Sequence, residues 1–274
     1  MIASADLHIH THFSDSSSSP QEIVDDALKA GLACIAITDH DTLDGIVPAI
    51  EAVAGLGLEV VPGIELSSEL ESCDIHILGY FIDYTKGPLL EKIDVFLDAR
   101  VQRMKQMLVN LKAVGVDNIV FEEVCALTRS RAVGRMHLAV LLQQKGWVSG
   151  IKAAFEKYLG PGCPGYAPKF KQTPYEAIDL IRSSGGVAVM AHPMLTQKDE
   201  LIPGLVKAGL KGLEVYYPNC MPTVTQFYEG IAKKHGLIAT GGSDAHGKDK
   251  AYTYIGKQTV PYIIVDQLRQ ARHE

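Results

Sequence analysis

Seven short apolar runs recur along this chain, at residues 5–9, 33–38, 58–62, 75–82, 187–191, 212–215 and 237–240, and their spacing constrains the fold more than any other feature. Most are continuously apolar, the mark of strands covered on both faces. Helical patterns at 44–54, 201–208 and 222–235 lie between them. Two further helices announce their starts. Ser19-Pro20-Gln21-Glu22 and Thr173-Pro174-Tyr175-Glu176 each read as a capping box with proline at the first helical position. The first of these helices should stop at Gly31 and the second near Gly185 and Gly186. Strands joined mostly by helical crossovers predict a parallel α/β barrel rather than an open sheet.

That rhythm breaks between residues 100 and 167. Helical patterns follow one another at 89–114, 122–127, 135–145 and 151–158 without a convincing strand, ending in "GPGCPGYAP". The stretch reads as a helical insertion, a substrate cap, between barrel halves at 1–99 and 168–274. The length of 274 residues suits one large domain carrying such an insert. No apolar run approaches the ~20 residues a membrane helix needs, and no basic-then-apolar signal segment opens the chain. Five scattered cysteines with no CxxC pairing fit reduced thiols in a cytoplasm. A net charge of −6 argues against a long basic groove for duplex DNA but not against small anionic substrates.

The polar residues gather just after the runs. His8 and His10 end the first, with Asp15 in the loop beyond. Asp39 and His40 follow the second, Glu65 the third, His192 the fifth, and Asp244 with His246 the last. His76 fits least well, since it precedes most of its run. In a parallel barrel the C-terminal strand ends face one side, where active sites are built. Strand alternation puts His8 and His10 on one face and Leu7 and Ile9 on the other. Two imidazoles so placed can chelate one ion, and histidine with carboxylate is the usual set for Zn, Mn or Fe. An HxH pair alone is weak evidence for a metal and reads more readily as two hydrogen-bonded histidines at a strand end. The other histidines and carboxylates at neighbouring strand ends favour the metal.

In order, "DLHIHTHFSD", "ITDHD", "PGIEL", "IHILGYF", "AHP" and "GSDAHG" resemble the PHP (polymerase and histidinol phosphatase) family over Asp6 to about Gly247. The resemblance implies a distorted (β/α)7 barrel with two or three divalent metal ions, Mn first and Fe or Zn as alternatives, that hydrolyses phosphate esters. It implies a first metal on His8, His10, Glu65 and Asp244. It implies a second on Glu65, His76 and His192, and a third on Asp15, His40 and His246. The insertion motifs "RVQRMKQMLVNLKAVGV", "VGRMHLAVLLQQKGWV" and "YLGPGCPGYAPKF" resemble the branch that hydrolyses nucleoside 3′,5′-bisphosphates and trims short single-stranded RNA from its 5′ end. Ser16 and Met136 depart from that branch, which often has glycine and proline there.

The chemistry so implied is hydrolysis of a phosphomonoester by a metal-activated hydroxide, with Glu65 and Asp244 at its centre. Three divalent ions outweigh the charge of Asp15, Glu65 and Asp244, which suits a phosphate dianion. His12 reads either as a phosphate contact or proton donor to the leaving group, or as a structural loop histidine. Asp39 reads as an orienting partner of a ligand or as a turn aspartate. Arg135 and His137 are candidates for gripping a second phosphate, against a reading as a solvated arginine and a packed histidine; Arg131 and Lys169 are weaker versions of the same idea. The expected ligands are a nucleotide such as AMP or adenosine 3′,5′-bisphosphate, and phosphate. Histidinol phosphatase and a non-catalytic nucleotide-binding module are the competing readings.

Overall fold

The computed structural model describes residues 3–71, 73–168, 172–247 and 253–272. Its strands are β1 (Ser4–Ile9), β2 (Cys34–Ile37), β3 (Glu59–Leu70), β4 (Cys73–Tyr80), β5 (Val187–Met190), β6 (Gly212–Tyr216), β7 (Ile238–Gly241) and β8 (Val260–Pro261). They form one sheet in the order β7-β6-β5-β4-β3-β2-β1-β8. The helices are α1 (Pro20–Lys29), α2 (Ile46–Ala52), α3 (Pro88–Ala113), α4 (Phe121–Cys125), α5 (Arg135–Gln144), α6 (Ile151–Ala154), α7 (Pro174–Ser183), α8 (Pro193–Thr196), α9 (Ile202–Ala208), α10 (Pro222–His235) and α11 (Ile263–Ala271). A π-helical turn, Phe155–Leu159, continues α6.

The sheet curls until its ends nearly meet. The segment after β7 bridges to β1 in parallel at Ile9 and Ala245, and the His10 amide donates to the Ala245 carbonyl at 3.1 Å. Gly242 allows this approach: a Cβ there would lie 2.3 Å from the backbone nitrogen of His8. Only a residue without a side chain lets the two backbones come so close.

Both capping boxes are present. The Ser19 hydroxyl accepts from the Glu22 amide while the Glu22 carboxylate accepts from the Ser19 amide at 2.8 Å, and Thr173 with Glu176 does the same at α7. Such a cap contributes about 1 kcal/mol. The structure corrects the all-parallel expectation at one point. The run at 58–62 continues as a strand to Leu70 and turns back, so β4 pairs antiparallel with both β3 and β5. Reversal brings the start of β4, and with it His76, to the end where the parallel strands finish. Strand β8 also pairs antiparallel, along β1.

One apolar cluster joins Ile35, Ile37, Ile64 and Ile77 of the sheet to Ile23, Val24 and Ala27 of α1 and Ile178 and Ile181 of α7. Another gathers Ala36, Val61, Leu78, Tyr80 and Val189 with Val265 and Leu268 of α11. A third lies wholly between Met104 and Ala167, built on α3, α4, α5 and the π-helical turn. Helix α3 runs through two clusters, giving Leu89, Ile93, Phe96 and Leu97 to the first and Met104, Met107 and Leu111 to the third. The insertion boundary expected at residue 100 thus falls inside a continuous helix. Among the described residues no helix is long and apolar enough to cross a membrane, and all five cysteines are free thiols.

Candidate metal centre

Glu65 stands at the middle of the site, 1% exposed. Its Oε2 lies 3.2 Å from His8 Nε2, His10 Nε2 and His40 Nδ1. Its Oε1 lies 2.8 Å from His76 Nδ1 and 3.0 Å from His192 Nε2. Asp244 Oδ1 is 3.2 Å from His10 Nε2 and 3.5 Å from both His8 Nε2 and His246 Nδ1. Asp15 reaches His246 Nε2 at 3.3 Å and His40 Nε2 at 3.8 Å. The nine side chains expected as ligands are therefore in one place. Three sets have donor atoms within 4.8 Å of one another: His10 with Asp15, His40 and His246; His8 with His10 and Glu65; His40 with Glu65 and His76. His10 and His40 each belong to two sets, so the division is less tidy than three separate triads.

The donors suit divalent cations. Imidazoles and carboxylates are the ligands of Zn, Mn and Fe, and the buried Nδ1 atom of His10, 3.8 Å from Asp15, has no hydrogen-bond partner among the described residues. Buried polar atoms of that kind are rare unless something else completes them. With protons alone to balance the charge, Glu65 is held well below the carboxylate range; burial opposes this, but His40, His76 and His8 outweigh it. Burial likewise lowers His10, yet Asp244 and Glu65 raise it to about 9. His40 is pushed well down, first by burial. A centre of acceptors that polarises its own histidines this strongly is one that cations stabilise.

Backbone strain concentrates here. His192 (φ 27°), Asp244 (φ 48°) and Asp41 (φ 51°) all adopt the left-handed region without being glycine. Such residues persist where surrounding structure holds them. Asp39 does that for the β1 loop: it accepts from the Thr11 amide and hydroxyl, both at 2.7 Å, and from the Ser14 hydroxyl. Its carboxylate is spent on this loop, which carries Asp15, while its carbonyl accepts from the Glu65 amide at 3.1 Å.

Above the rim opens a cavity of about 660 Å³. Two groups of residues line it: His40, Glu65, His76, His192, Asp244 and His246 of the barrel, and Arg100, Arg103, Arg135, Met136 and Phe155 of α3, α5 and the π-helical turn. Arg135 pairs with Asp74 at 2.9 Å and lies over the Phe155 ring. Arg100 pairs with Asp41 at 2.6 Å and donates to Ser67 at 3.1 Å. Arg103 donates from Nε to the Ala167 carbonyl at 2.8 Å, while its buried Nη2 has no hydrogen-bond partner among the described residues. Burial first, then Arg135 and Arg100, push Arg103 down to about 10.

Three residues expected to contact substrate are not among those lining the cavity. His12 packs edge-on to Phe13, and its carbonyl accepts from the Arg129 amide, so it ties the β1 loop to the insertion. His137 is 4% exposed and its Nδ1 accepts from the Gly134 amide, capping its own helix. Arg131 is half-exposed and paired with Asp94 and Asp98, outside the residues lining the cavity. Lys169 lies outside the described residues.

Residues the sequence reading passed over are Arg100, Arg103, Glu214 and Tyr217. The arginines sit in an ordinary amphipathic helix, and Glu214 is hidden inside an apolar run; "RVQR", with both arginines three apart, was the one available hint.

The family profile described as PHP domain matches residues 6–160. A 3′,5′-nucleoside bisphosphate phosphatase of Chromobacterium violaceum is 31% identical over 262 residues, covering 92% of each chain. The 5′-3′ exoribonuclease Rnm of Escherichia coli is 35% identical over 248 residues, 88% of this chain and 84% of that one. Among solved structures, a candidate metal-dependent phosphoesterase from Bifidobacterium adolescentis superposes with a TM-score of 0.89 at 30% identity, covering 97% of this chain and 96% of the other.

Proposed function

This chain belongs to the PHP domain family, and from that premise we propose that it is a metal-dependent phosphoesterase that removes the 3′-phosphate of a nucleoside 3′,5′-bisphosphate. The observation that carries the reading is one cavity lined both by carboxylates and imidazoles and by three guanidiniums. A substrate with two phosphates needs two anion sites of different character. Divalent cations held at the histidine rim would supply an acidified water and charge to neutralise the reacting phosphate. His8, His10, Glu65 and Asp244 would hold one such ion, Glu65, His76 and His192 a second, and Asp15, His40 and His246 a third.

The chain's own residues then position the rest. Arg103, Arg135 and Arg100 line the cavity together and would hold the distal phosphate. Guanidinium forks suit phosphate oxygens and strengthen where water is excluded. The cap segment 100–167 carries these arginines together with Phe155, so it confers selectivity while the barrel carries chemistry. Phe155 gives the organic part of the substrate an apolar face. Short RNA bearing a 5′-phosphate presents the same pair of groups, a scissile phosphate and a neighbouring one, and the likeness to Rnm supports trimming of such ends.

The test is phosphate release with Mn²⁺ from adenosine 3′,5′-bisphosphate, AMP, histidinol phosphate and a short 5′-phosphorylated RNA, on one preparation. Preference for the bisphosphate or the RNA is the expected result. A preference for histidinol phosphate would overturn the substrate assignment. No turnover with Mn, Fe, Zn or Mg would overturn the enzymatic one.

A further inference from the structure

We propose that Glu214 is the positioning residue of the metal centre: it fixes which nitrogen of His8 faces the cations and holds the strained turn that delivers His192. The inference rests on the metal-centre reading above. Ligand side chains come from β1, β3 and β4 and from the segments after β1, β2, β5 and β7. Strand β6 contributes none of the nine, yet its middle carries a carboxylate with no exposure at all.

Both oxygens of that carboxylate are engaged with ligand residues. Glu214 Oε1 lies 2.9 Å from His8 Nδ1. Glu214 Oε2 accepts from the backbone amide of His192 at 2.8 Å. Just beyond the same strand, the Tyr217 hydroxyl donates to Asp244 Oδ2 at 2.7 Å, leaving Asp244 Oδ1 towards His8 and His10. Strand β6 is thus the one that orients its neighbours' ligands.

The chemistry of these partners sets the consequence. An ionised carboxylate only accepts, so it keeps a proton on His8 Nδ1 and leaves the Nε2 lone pair directed at the rim. His8 Nε2 is the atom beside Glu65 Oε2 and Asp244 Oδ1. The second oxygen ties down His192 at φ 27° and ψ 59°, a conformation a bulky side chain adopts only when held. A neutral amide of the same shape cannot replace this. Both partners are donors, and glutamine has one acceptor and one donor. Glu214→Gln must either set its NH₂ against the His192 amide or draw His8 into the other tautomer, with its proton on Nε2. Either way one ligand is lost from the centre.

A purely structural role for Glu214, as a buried counter-charge, would leave metal uptake unaffected once the protein folds. The two are separated by titrating chelator-stripped wild type and Glu214→Gln with Mn²⁺ by calorimetry, with thermal unfolding of both metal-free proteins alongside. Expected is a loss of about 10- to 100-fold in Mn²⁺ affinity for the variant, as for other groups that orient metal-bound histidines. Equal affinities in wild type and variant would overturn the proposal and leave the metal centre standing; absence of Mn²⁺ uptake by the wild type would overturn both. Should the variant not fold, ¹⁵N NMR of the zinc-loaded wild type decides. His8 with its proton on Nδ1 and Nε2 as the ligand supports the proposal, and the reverse assignment overturns it.

Discussion

The two groups of residues that line the cavity, a barrel wall of ligands and a cap wall of arginines, are built on opposite plans. On the barrel wall every charged group leans on several others: Glu65 alone lies within 3.2 Å of five histidines. On the cap wall each charge has partners of its own: Asp41 and Ser67 for Arg100, Asp74 for Arg135, and the Ala167 carbonyl for Arg103. Residues that share partners respond to substitution as a unit, while those with private partners respond one at a time. The barrel wall should therefore fail all at once and the cap wall by degrees.

The sharpest way to break that contrast is Glu65→Gln. Removing the charge shared by five imidazoles should cost several kcal/mol of transition-state stabilisation, about 10³-fold or more in kcat/KM, and should lower bound metal on elemental analysis. A loss under tenfold with full metal content would show the barrel wall is not a unit. On the cap wall, Arg103→Gln should raise KM for the bisphosphate about 10- to 100-fold, the worth of one charge-assisted hydrogen bond. Its kcat and its metal content should stay near wild type. Equal losses on AMP and on the bisphosphate would place Arg103 outside the second-phosphate subsite.

A milder contrast comes from pH. In metal-free protein His10 is raised from 6.5 to about 9; burial works against this and Asp244 and Glu65 prevail. A raised histidine adds stability that is full below its unfolded pKa and lost as pH climbs through the folded one. The Tm of chelator-treated protein should then fall between pH 6.5 and about 9. Added Mn²⁺ should remove the fall, because cations and protons compete for the same nitrogens. A flat metal-free profile would count against the ion-paired centre. The smallest effect is expected at Arg131→Ala, where exposed pairs with Asp94 and Asp98 hold nothing in the cavity. Phosphate release should stay within about twofold of wild type, and a larger drop would extend the cap wall outwards.

The barrel wall was legible in the sequence and most of the cap wall was not, for a physical reason. Strand ends converge by topology, so His8, His40, His192 and Asp244 could be placed together from their positions after apolar runs. His76 resisted because the pattern assumed parallel strands. The connection between residues 62 and 75 is too short for a crossover helix, and its "GIELSSEL" alternates as a strand does, which was the available sign of the reversed β4. Arg100 and Arg103 carry no such positional mark, since helix periodicity tells only which face is apolar. Glu214 was masked by its own setting in "GLEVYY", where burial rather than pattern makes it informative. Helix α11 went unpredicted, and its Val265 and Leu268 join the cluster that includes Leu78 and Tyr80.

Helix α3 is one unbroken rod of 26 residues, about 39 Å long, rooted in one apolar cluster and tipped into another. Arg100 and Arg103 sit near its midpoint, so the spacing between the guanidiniums and the histidines is a fixed gauge rather than an adjustable jaw. On the proposed function, a bisphosphate is measured by that gauge, and the interval between its two phosphates must match it.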